Sequence, residues 1–170
     1  MAMDRLARGN LVSIAAGLLI LVVLVLLALF GISYAFTTTV KVLLWLIWAL
    51  APLAYIEYRR AVLRARFLME FLPPIAIAVT FIGLILVTEG SFLGLVAIVL
   101  GYTLEPAAGA SLFLTMKAYR PLPAYPFFIG ASAFVAGLPL YLVKFPYLAI
   151  AGDVVKLMGL LWFMVSRGGD

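Results

Sequence analysis

Six apolar runs, each about as long as a bilayer is thick, leave this chain few ways to fold. They fall at about 11–32, 40–57, 68–88, 92–116, 127–143 and 147–165, joined by short polar segments. A hydrocarbon core of about 30 Å is crossed by about 20 residues at roughly 1.5 Å rise each. In lipid every backbone N–H and C=O needs a partner, so runs of this length are expected as helices. The predicted fold is an all-α polytopic transmembrane helical bundle of six spans, a single integral membrane domain over residues 1–170. Composition agrees, with 67% of residues hydrophobic, 11% charged and a mean hydropathy of +1.25. A soluble domain carries about 25% charged residues. The first run is longer than a typical signal-peptide core and lacks a small-x-small exit, so it reads as a retained helix.

The basic residues set the expected orientation. With the N-terminus in the cytoplasm, the inside segments hold Arg5, Arg8, Arg59, Arg60, Arg64, Arg66, Lys117, Arg120 and Arg167. The outside loops hold Lys41 and Lys144, and Lys156 falls within the sixth run. That asymmetry predicts both termini cytoplasmic in the cell (plasma) membrane. It also gives the pI of about 9.7 a meaning other than nucleic-acid binding. The expected partner is the lipid bilayer, together with other membrane subunits or further copies of the chain.

The joints carry local expectations. Residues 57–66 are rich in arginine and read as an anchor at the membrane surface, with a short interfacial helix as the other reading. Pro121, Pro123 and Pro126 predict a stiff extended turn between Lys117 and Pro126. Gly90 marks the break between the third and fourth spans. The likeness of Ala51-Pro52-Leu53-Ala54-Tyr55 to Leu138-Pro139-Leu140-Tyr141 suggests inverted halves, but the spacings from Gly17 and Gly94 to these prolines do not match.

Several chemistries are disfavoured by what the sequence lacks. With neither His nor Cys, haem ligation, thiol catalysis and the usual zinc sites have no ligands. Gln is absent and Asn10 is the one asparagine. So few polar side chains argue against a wide aqueous pore and against an enzyme, and neither cofactor nor metal is expected. Gly130-Ala131-Ser132-Ala133 resembles the serine motif of rhomboid-type intramembrane proteases. That chemistry needs a histidine, and Gly130, Ala133 and Gly137 make a packing seam instead.

Glu70, Glu105, Asp153 and Lys156 are the ionisable side chains inside the predicted spans. A charge at such depth is costly unless it faces protein or water, which makes it a candidate for function. Glu105 lies about 13 residues into its span, roughly 20 Å along the axis and near the bilayer middle. Pro106 follows it and cannot donate to the Tyr102 carbonyl, so the helix should kink or open there. Tyr102 and Thr103 are then expected to join Glu105 in binding a proton or cation. Gly94, Ala97, Gly101, Glu105 and Ala108 form a stripe of small residues that aims Glu105 into the bundle. A second stripe, Ala149, Gly152, Lys156 and Gly159, places Lys156 about a turn away in depth, with Asp153 three residues earlier on its face. Glu70, four residues after Arg66, forms a lower-weight pair at the inner surface.

These residues favour a small membrane transporter, or a substrate-binding membrane subunit, using a midplane Glu/Lys/Asp cluster for a proton, ion or small solute. Two alternatives stay open. One is a non-catalytic subunit of a larger membrane complex, in which the charges only lock helices. The other is an intramembrane enzyme that modifies a lipid or isoprenoid.

Overall fold

The computed structural model describes residues 2–167, and every regular segment among them is helical. The helices are α1 (Ala2–Phe30), α2 (Thr38–Arg60), α3 (Arg66–Thr88), α4 (Phe92–Tyr102), α5 (Glu105–Tyr119), α6 (Pro121–Gly137) and α7 (Tyr147–Arg167). Short 3-10 segments, Ile32–Phe36 and Leu138–Val143, follow α1 and α6. With α4 and α5 taken as one rod, six helical stretches are long and apolar enough to cross a membrane. Large side chains such as Leu29, Phe71, Leu93 and Val165 point outward, as suits a bundle whose surroundings are themselves apolar.

Neighbours in sequence are neighbours in space. Each long helix packs on the next, and α1 packs on α7, so the helices close into a ring. Arg5 at the start of α1 donates from Nη1 to both carboxylate oxygens of Glu57 near the end of α2, at 3.0 Å each. Lys41 at the start of α2 donates to the Thr88 carbonyl at the end of α3, at 2.9 Å. These contacts mark opposite ends of the bundle, and the arginines of α1 and of the α2–α3 joint share the first.

Glycine decides which helices touch most closely. On α3 and α4, Gly83 and Gly94 bring the two backbones together, and a Cβ on either would strike the other's carbonyl oxygen. On α6 and α7, Gly130, Gly137, Gly152 and Gly159 each lie where a Cβ would run into the opposing backbone. Both stripes expected from the sequence are therefore packing seams, but they do not face each other. The Gly94–Gly101 stripe meets α3, and the Ala149–Gly159 stripe meets α6.

Three local expectations are corrected. The proline-rich stretch is not an extended turn, because α5 runs to Tyr119 and α6 begins at Pro121, with Arg120 as the joint. Pro121 and Pro123 fall in the first turn of α6, where backbone amides have no helical acceptor and a missing N–H costs nothing. That helix ends at Gly137, before a 3-10 segment, and does not reach residue 143. Nor is the arginine-rich joint an interfacial helix: α2 continues to Arg60, and Ala65 takes a left-handed φ of 49° before α3 begins. Side chains of α5 hold this joint, since Ser111 Oγ donates to the Arg64 carbonyl at 2.7 Å and Arg64 N–H donates to Thr115 Oγ1 at 2.9 Å. The expected turn at Gly90 is present, with a φ of 84° that favours glycine.

Candidate functional site

A cavity of about 240 Å³ lies at the centre of the ring, and all seven helices contribute to its wall. Most of that wall is hydrocarbon, including Ile20, Leu44, Ile47, Leu84 and Leu160. Charge enters from one side only, where Glu105 and Lys156 face the space.

Glu105 owes its position to the break in the fourth span. Helix α4 ends at Tyr102, and α5 starts at Glu105 with Pro106 in its first turn. Proline suits that turn because it has no amide hydrogen to satisfy. A carboxylate there also lies at the positive end of the α5 dipole. Thr103 and Leu104 keep right-handed dihedrals, so the rod continues across the break rather than turning away.

Lys156 is held by backbone packing. Gly130 of α6 admits the α7 backbone at Lys156, where any Cβ would collide. The Lys156 side chain then passes over the Phe134 ring, with Nζ 4.4 Å from the centroid, and lies 3.3 Å from Glu105 Oε1. Its other carboxylate neighbour is closer, Asp153 Oδ1 at 2.8 Å.

The two carboxylates are not equivalent. Asp153 is fully buried and neither of its oxygens accepts a well-directed hydrogen bond among the described residues. Gly17 of α1 presents no side chain toward it, so Lys156 is what balances its charge. The Glu105 side chain is 33% exposed and forms part of the cavity wall. Counted formally, two carboxylates face one ammonium: Lys156 Nζ lies closer to Asp153 Oδ1, but the hydrogen bond that it donates goes to Glu105 Oε1.

Of the residues singled out from sequence, Glu105, Lys156 and Asp153 come together. Tyr102 joins them at the cavity wall, with its ring edge-on to Phe134 at 5.5 Å. Thr103 does not. It is exposed, and its hydroxyl donates to the Leu100 carbonyl of its own helix at 2.6 Å. Adjacent helical positions diverge, so Tyr102 and Thr103 cannot share a face. Arg66 and Glu70 form their local pair, Nε to Oε1 at 2.8 Å, outside the cavity.

One polar group was not singled out from sequence. Tyr58 donates to Asn10 Oδ1 at 2.9 Å, and the Ser13 hydroxyl lies 2.9 Å from the Tyr58 oxygen. Ser13 and Tyr58 line the cavity, and Asn10 is completely buried behind them. The signal available was Asn10 itself, the chain's one asparagine, three residues before Ser13 and so on the same helix face. No known protein family, characterised protein or solved structure matches this chain.

Proposed function

We propose that the chain is a multi-pass protein of the cell membrane with both termini in the cytoplasm. Within it, Glu105 is the coupling carboxylate of a small transporter, or of a substrate-binding membrane subunit. The observation that carries this reading is the inequality of the carboxylates: Asp153 is fully buried 2.8 Å from Lys156, while Glu105, which accepts a hydrogen bond from Lys156 at 3.3 Å, is partly exposed and borders the cavity. A site that must bind and release needs one charge that is not permanently spent. Six apolar stretches support the membrane placement, and the excess of basic residues at one end supports the orientation.

The division of labour follows. Asp153 and Lys156 act as a fixed dipole within α7, and Glu105 on the facing helix exchanges its partner for a proton, ion or solute entering the cavity. The test is flux in liposomes. Wild type should carry a proton- or ion-coupled current or solute flux, and Glu105→Gln should abolish it while the melting temperature stays nearly unchanged. A wild-type preparation silent toward protons, sodium and common solutes would defeat the proposal.

A further inference from the structure

We infer that the central cavity binds a small organic monocation with an apolar body. This rests on the reading of Glu105 as the carboxylate that exchanges its partner, and it adds the chemical class of what arrives.

Charge comes first. Counted formally, the cluster sets two carboxylates, Glu105 and Asp153, against one ammonium, Lys156, which lies 2.8 Å from Asp153 and donates a hydrogen bond to Glu105 at 3.3 Å. A cation entering the cavity neutralises the site, an anion doubles its imbalance, and a neutral molecule leaves it as it was. In a low-dielectric interior that difference is large. The Glu105 carboxylate also has an oxygen, Oε2, beyond the one that meets Lys156.

The walls select the rest of the ligand. Away from the ion pair the lining is mostly aliphatic and aromatic, with Trp48, Tyr55 and Tyr102 among the aromatic side chains and Ser13 and Thr80 as small polar ones. Such surfaces favour an apolar body, and aromatic faces add attraction for a cation. An inorganic ion would leave most of this wall without contacts, and a whole lipid is larger than the space itself. An apolar cavity of roughly 150 Å³ accommodates benzene, so one of about 240 Å³ suits about ten non-hydrogen atoms. An arylalkylammonium ion has that size, a flat apolar body and one charged end.

The experiment is equilibrium dialysis of the full chain in detergent against three probes of nearly equal shape: 2-phenylethylammonium, 2-phenylethanol and 3-phenylpropionate. Empty micelles supply the background. Wild type should bind the cation at least tenfold more tightly than the alcohol, with the anion weakest. Glu105→Gln should remove the preference for the cation while retaining the alcohol. Ala51→Leu, which adds bulk to the wall away from the charges, should weaken the cation and the alcohol together. Equal binding of the cation and the alcohol by wild type, or tightest binding of the anion, would overturn the inference, and neither result depends on a variant that folds. Binding of the cation without any flux would reject transport but keep the ligand class. Flux of protons or sodium without selective binding of 2-phenylethylammonium would do the opposite.

Discussion

Asp153 is the most demanding residue in the bundle. It is fully buried, has Lys156 as its ionic partner, and faces a glycine on α1. Breaking a buried ion pair from one side strands the other charge and typically costs about 3–5 kcal/mol. Lys156→Met should therefore be the most damaging single change in the cluster, read as a fall in melting temperature in detergent. Because Asp153 is the closer partner, Asp153→Asn should rescue Lys156→Met, and Glu105→Gln should rescue it much less. Equal rescue by both would mean that the carboxylates share Lys156 evenly.

At the scale of helices, close approach is written in glycine. A side chain at Gly152 would enter the α6 backbone at Ala133 and Phe134. Gly152→Val should then destabilise by at least the 1–3 kcal/mol typical of overpacking, about the upper end or more. Gly109 supplies the contrast, since a Cβ there meets only the Phe127 ring tip at 3.8 Å. Gly109→Ala should be neutral, or stabilising by up to about 1 kcal/mol through helix propensity. Thermal melts of the two variants side by side test the seam directly. The contrast also shows how much of the packing is legible in the sequence. Run length placed the helices, and spacing identified both small-residue stripes. Their partners were not legible, because a stripe says that a neighbour comes close and not which neighbour it is. Prolines were ambiguous for a related reason: Pro121 and Pro123 suit an extended turn and a helical first turn equally well, and only the position of the preceding helix end decides. At the site, depth along the axis was enough to pair Glu105 with Lys156. The inequality of Asp153 and Glu105 depends on which faces meet across helices, which a linear pattern does not encode.

For the molecule as a whole, the proposed orientation has a direct test. The chain has no cysteine, so introduced thiols report without background. Cysteines in place of Ser91 and Lys144 should react with an impermeant reagent applied outside intact cells, and cysteines in place of Arg64 and Ala118 should not. Reaction at position 64 from outside would invert the assignment. The ring carries a further consequence, which concerns the order of events on the ribosome. Glu105 is made roughly fifty residues before Lys156, and at about 5–20 residues per second the carboxylate waits several seconds for its counter-charge. On α1, the Gly17 position waits longer still, because Leu157 and Asp153, which it faces, belong to α7. Until α7 is made the ring lacks the helix that packs on both α6 and α1. A chain stalled before α7 would therefore leave Glu105 without Lys156 and the Gly17 face of α1 without its partner helix.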